Sequence, residues 1–117
     1  MYADTDLMLD TSPIGAGTTA CEALWMGVPI LSLPSSRFLG RQAASHLLNI
    51  GLPEFVARDF ADYVEKAVFW SRQLDQLVRL RQGLRDRMRA SPLGDQARFG
   101  ESFAMAIDEM CAASRRS

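Results

Sequence analysis

The run from Leu7 to Leu33 restricts the fold more than any other part of the chain. An apolar stretch, Leu7-Met8-Leu9, gives way to a loop of small and turn-forming residues, Asp10-Thr11-Ser12-Pro13-Ile14-Gly15-Ala16-Gly17. A helix start follows at Thr18-Thr19, Gly27 stops that helix, and Pro29 opens a second apolar stretch, Ile30-Leu31-Ser32-Leu33. Strand, tight loop, helix and strand in so few residues make a β-α-β unit, which places its strands in parallel with a right-handed crossover. Pro29 sits at the start of its strand, where a missing N–H costs least.

A strand that delivers a glycine-rich loop onto a helix N-terminus also builds an anion site. The free N–H groups of the first helical turn and the positive end of the helix dipole point at one spot. Thr18 and Thr19 add hydroxyl donors there. Glu22 follows Thr18 by four residues, about 6 Å further along the axis. That is near the spacing between a phosphate and the ribose of one nucleotide, and a carboxylate accepts from ribose hydroxyls. Gly17, Thr18, Thr19 and Glu22 are thus the candidate binding residues for a nucleotide diphosphate. The same block also fits a tight turn with a surface acid, since it is not a G-x-x-x-x-G-K-[ST] loop.

These residues resemble a known family. Leu9-Asp10-Thr11, a small-residue loop, the threonine pair and Glu22-Ala23-Leu24-Trp25-Met26-Gly27-Val28-Pro29 are similar to the carboxy-terminal part of the O-linked N-acetylglucosamine transferases. The likeness is greatest to bacterial members that follow tetratricopeptide repeats. Arg41-Gln42-Ala43-Ala44-Ser45, Leu48 to Glu54, and Arg89-Ala90-Ser91-Pro92-Leu93 resemble further landmarks, so the similarity covers nearly the whole chain. The resemblance implies a GT-B fold, two Rossmann-like domains with a sugar nucleotide held mainly by the second. It implies that Glu22 binds the ribose of a UDP-sugar and that Thr18 and Thr19 bind its diphosphate. It implies inverting transfer of the sugar to a Ser or Thr hydroxyl, with no metal or other cofactor. Two departures stand out: many members carry His where this chain has Gly17, and some carry Asp where it has Glu22.

With 117 residues the chain is one domain by size. Its first strand lies close to the start, whereas a Rossmann-like half has more sheet before its nucleotide loop, so the expectation is part of a larger domain. Fourteen acidic against thirteen basic residues, net −1, argue against a general nucleic-acid binder. Cys21 and Cys111 lie far apart and outside any metal-ligand spacing, which fits a reducing, cytoplasmic setting. No run reaches the ~20 apolar residues of a membrane span.

The expected elements are strands at 6–10, 29–33 and 54–57, with helices at about 18–27 and 38–50 between them. The fold class is therefore α/β, a partial Rossmann-like β-α-β-α-β layer over residues 1–57. A helical extension is expected over 58–113, followed by a tail at 114–117. Asp59 with Asp62 resembles a capping pair. Phe60, Val64, Ala67, Val68 and Ser71 form one apolar stripe, and Leu74, Leu77, Val78, Arg81, Leu84 and Met88 a second. Phe99, Phe103, Ala106, Ile107 and Met110 share a face of the last helix, expected at about 96–113.

Other residues admit two readings each. Asp10 is a ligand contact at the sheet edge or a turn cap. Arg37 and Arg41 reach an oxyanion or anchor a surface helix. His46, the only histidine, is an acid–base group or a packed mid-helix residue. Cys21 is a dipole-activated thiol or a small packing residue. Arg79, Arg81, Arg85, Arg87 and Arg89 make a basic stripe, read as a solvated or inter-helix face that the acids of the last helix would neutralise. Trp25 and Trp70 read as core or interface residues.

The functional expectation is the UDP-sugar-binding portion of an inverting glycosyltransferase, with a protein acceptor and no catalytic base assigned in this chain. The polypeptide by itself is expected to be inactive and, through an open sheet edge, to form a homodimer. The alternatives are a non-catalytic nucleotide-binding module, in which Gly17 marks lost chemistry, and an interaction domain with a degenerate site.

Overall fold

The computed structural model describes residues 2–116. Strand β1 (Met8–Leu9), helix α1 (Thr18–Trp25) and strand β2 (Ile30–Leu31) form the first crossover. Helix α2 (Gln42–Asn49), α3 (Phe60–Ser71), α4 (Leu74–Arg89) and α5 (Gln96–Arg116) follow. The two strands are parallel, with Met8 opposite Ile30 and Leu9 opposite Leu31. Hydrogen bonds from Met8 N to Pro29 O and from Asp10 N to Leu31 O, both 2.9 Å, hold the register.

The strand expected at 54–57 is reduced to a single parallel bridge between Ser32 and Val56. Ser32 N donates to Phe55 O at 2.9 Å and Ala57 N to Ser32 O at 2.8 Å. Pro53, which lacks an N–H, starts a 3-10 turn over Pro53–Phe55, so only one residue of that segment remains extended beside β2. The sheet order is still the parallel one of a β-α-β-α-β layer. A second departure lies before α2, where the chain makes a 3-10 turn at Phe38–Gly40 and the helix begins only at Gln42.

Both helices of the layer end as expected. Gly27 and Gly51 have φ of +86° and +72°, a conformation that costs glycine nothing. Val28 N reaches back to Ala23 O at 2.8 Å and Leu52 N to Leu47 O at 2.9 Å, closing each helix with a Schellman motif.

The core lies between the sheet and helices α1, α2 and α4. Leu24, Ile30, Leu47, Leu52, Phe55 and Leu84 are fully or almost fully buried there. Trp70 joins it from α3, stacked on Phe55 with ring centres 4.4 Å apart. Asp59 caps α3 by accepting from Asp62 N at 2.8 Å. Asp62 in turn accepts from Arg58 N at 2.8 Å and pairs with Lys66 at 3.3 Å.

The apolar stripe read along α3 lies on the side of the helix away from this core. Phe60, Val64 and Val68 are exposed, because Asp62 and Trp70 turn the other face inward. In α4 only Leu77, Leu84 and Met88 of the second stripe are buried. Helix α5 buries none of its residues, and Phe99, Phe103, Ile107 and Met110 all face outward. It runs on through Ser114 to Arg116, past the end expected near 113, since no glycine or proline interrupts the run after Ala112-Ala113.

Candidate functional site

Asp10 organises the loop between β1 and α1. It stands just past β1, is buried, and spends its carboxylate on three hydrogen bonds. Oδ1 accepts from Thr11 N at 2.9 Å and Ala16 N at 2.7 Å, and Oδ2 accepts from the Ser32 hydroxyl at 2.8 Å. The Asp10 carbonyl accepts from the Tyr63 hydroxyl at 2.8 Å. Burial and the neighbouring Asp10 charge push the Tyr63 phenol up. Of the two readings of Asp10, the structure supports the cap: the carboxylate folds the loop back onto the sheet rather than facing outward.

The loop sets down its last residue, Gly17, as the N-cap of α1, with no side chain capping the helix. The first-turn N–H groups therefore lack intrahelical partners, as at any helix start, and no side chain takes their place. Thr18 and Thr19 are exposed at this end. Glu22 is exposed one turn further on, with the Tyr2 hydroxyl at 3.4 Å from its carboxylate.

Helix α2 starts beside α1, and between them opens a cavity of about 630 Å³. Gly17, Thr18 and Cys21 line one wall, and Phe38, Arg41, Gln42, Ser45 and His46 the other. Gly17 and Thr18 are thus brought into one concavity, while Thr19 and Glu22 sit at the same helix end outside its lining. No carboxylate borders the cavity, and Arg41 is exposed there without an ion-pair partner among the described residues. Arg37 does not line it; its backbone N–H contacts the Ser35 hydroxyl at 3.4 Å.

His46 is more involved than its mid-helix position suggested. Burial holds its imidazole below the ordinary value, opposed by a hydrogen bond to the Gly17 backbone. Nδ1 is buried with no partner among the described residues. Cys21 has its thiol pushed up by burial, the opposite of a dipole-activated nucleophile, which supports the packing reading. No local sequence pattern marks Gln42, Ser45 and Phe38 as lining residues. Only the placement of α2 against α1 brings them to Gly17.

The basic stripe of α4 has a structural task. Arg81 donates to Thr5 O at 2.9 Å and Tyr2 O at 2.7 Å, Arg85 to Trp25 O at 3.0 Å, and Arg87 to Gly51 O at 3.2 Å. Arg85 and Arg89 also stand over the Trp25 ring at 5.3 and 5.2 Å. The Arg85 and Arg87 contacts place positive charge at the carbonyl ends of α1 and α2, where the helix dipoles favour it, whereas Arg81 holds the segment before β1. No ion pair to α5 is present among the described residues, so its acids do not neutralise the stripe as expected. No helix among the described residues is long and apolar enough to cross a membrane.

Comparison with known proteins places the chain in a family. The family model for glycosyl transferase family 41 matches residues 3–103. A SPINDLY protein of Solanum lycopersicum, described as a probable UDP-N-acetylglucosamine–peptide N-acetylglucosaminyltransferase, is 40% identical over 98 residues, which is 84% of this chain and 10% of the relative. The UDP-N-acetylglucosamine–peptide N-acetylglucosaminyltransferase of Caenorhabditis elegans is 36% identical over 76 residues, 65% of this chain and 7% of that protein. A solved structure of a mutant O-GlcNAc transferase from Thermobaculum terrenum superposes with a TM-score of 0.84 at 39% identity, over 93% of this chain and 21% of that one. The α/β fold, part of a GT-B domain, is therefore shared with that protein. The chain spans about a tenth of the length of the curated relatives it matches. It belongs to glycosyltransferase family 41.

Proposed function

We propose that this chain forms the donor-binding part of a glycosyltransferase that moves a sugar from a UDP-sugar to a protein Ser or Thr hydroxyl. The observation that carries the reading is the uncapped start of α1 at Gly17-Thr18, opening into a cavity without carboxylates. The named relatives, which use UDP-N-acetylglucosamine and peptide acceptors according to their descriptions, support the donor and acceptor classes.

In this reading the first-turn N–H groups and the hydroxyls of Thr18 and Thr19 hold the diphosphate, and Glu22 accepts from the ribose. Negative charge grows on the diphosphate as the sugar leaves. Donors fixed in place before reaction stabilise that charge at no reorganisation cost. The Asp10 network supplies the fixing, since it ties the loop to β1 and β2. The 117-residue polypeptide alone is expected not to turn over.

The ribose role of Glu22 is tested with two ligands in the full-length protein. Glu22→Gln weakens UDP binding by several-fold and leaves inorganic pyrophosphate unchanged, because only UDP has a ribose. Equal losses for both ligands remove Glu22 from that role.

A further inference from the structure

Gln42 stands where a side chain at residue 17 would begin. A Cβ built on Gly17 meets the Gln42 amide, with Cδ at 3.1 Å and Nε2 at 3.7 Å, and with Oε1 closer still. Gln42 lies in the first turn of α2 and is half-buried; its amide makes no hydrogen bond among the described residues. It shares the cavity with Thr18, Arg41 and His46. The oxygen of this amide lies nearest the uncapped helix start, which leaves its NH2 donors, farther from Gly17 and facing no carboxylate, free to meet an oxyanion.

We propose that Gln42 is a donor-binding residue, contributing its NH2 group to the diphosphate that the start of α1 holds. The proposal rests on the reading of that helix start as a diphosphate site. It assigns the glycine at 17 a specific purpose: it leaves room for a hydrogen-bond donor delivered from the neighbouring helix. His46 follows Gln42 by one helical turn on the same face and contacts the Gly17 backbone.

The test is UDP, inorganic pyrophosphate and uridine binding to the full-length protein. Gln42→Leu keeps the bulk and removes the donor. Gln42→Glu keeps the shape and adds a negative charge, and the helix dipole tolerates an acid in the first turn of α2, so folding is not at risk. The expected result is a loss of at least about tenfold in UDP affinity for Gln42→Leu, in line with one charge-assisted hydrogen bond. A larger loss is expected for Gln42→Glu, with pyrophosphate following UDP and uridine unchanged in both variants.

Gly17→Ala adds the methyl group that collides with the amide and pushes it aside. Its effect and that of Gln42→Leu should therefore not add in the double variant. If Gln42→Glu binds UDP as the wild type does while Thr18→Val with Thr19→Val weakens it, the role of Gln42 is wrong and the diphosphate reading stands. If none of these variants changes UDP binding, both fall. Uridine binding lost in parallel with UDP would show that Gln42 shapes the cavity rather than contacts phosphate, which also overturns the proposal.

Discussion

Asp10 Oδ1 accepts the Ala16 backbone N–H at 2.7 Å, so the residue that follows β1 also places the residue that precedes the cap of α1. A buried carboxylate with three donors on it fixes a loop that glycine and proline alone would leave mobile. Removing it leaves Ala16 N, Thr11 N and the Ser32 hydroxyl without their partner. Asp10→Ala is expected to cost about 3 kcal/mol of stability in urea unfolding, the scale of losing bonds to a buried charged group. UDP affinity should drop with it. Ser32→Ala removes one of the three bonds and should be milder, about 1 kcal/mol, with binding near that of the wild type. An Asp10→Ala protein as stable as the parent would show that the loop holds its shape without the carboxylate.

His46 provides a pH dependence with a definite sign. Its imidazole is held below its ordinary value in the folded protein, mainly by burial. The unfolded chain therefore binds more protons than the folded one between the lowered value and about 6.5. Stability should be full above that ordinary value and decline as pH falls through the window. His46→Gln should flatten this decline. An unchanged slope between pH 7 and 5.5 in the variant would assign the dependence to other groups.

Asp62 acts in the same direction at more acid pH. The Arg58 backbone N–H, opposed by burial and aided by the Arg58 and Lys66 side chains, holds it below the usual carboxylate range. Its contribution is present above its unfolded value and lost as pH falls towards the folded one, below the His46 window.

Much of the fold was legible because it is written in local chemistry. Gly27 and Gly51 stop their helices at positive φ, Asp59 caps α3, and the loop before Thr18 can only be a strand–helix turn. The third strand was not legible in the same way. Whether Glu54 to Ala57 stays extended depends on the turn that Pro53 starts and on pairing with Ser32, neither of which shows in an apolar run. The inward face of α3 was not legible for a related reason. Periodicity locates an apolar stripe but not the surface it meets, and here Trp70 rather than Phe60 and Val64 turns to the core. At the site, the helix start was readable and the second wall was not, because Gln42 and His46 reach Gly17 only through the packing of α2 on α1.

The exposed apolar surface carries a solution consequence. Leu9 on the edge strand, Phe60 on α3, and Phe99, Phe103 and Met110 on α5 are each more than half exposed. Exposed apolar side chains and an open strand edge of this kind are templates for pairing. The 117-residue polypeptide is expected to self-associate, with the apparent mass in sedimentation or light scattering rising with concentration. Phe99→Asp with Phe103→Asp should shift it toward monomer if α5 is the contact. A monomer at every concentration tested, without dye-accessible apolar surface, would contradict the expectation.

The most direct measurement is UDP titration of the full-length protein against its Thr18→Val, Thr19→Val variant, followed by calorimetry with folding checked by circular dichroism. Loss of two hydrogen bonds to a charged diphosphate should weaken binding by about 1–3 kcal/mol or more while uridine binding is unchanged. A UDP dissociation constant equal to that of the wild type in a folded variant would show that the start of α1 does not hold the diphosphate.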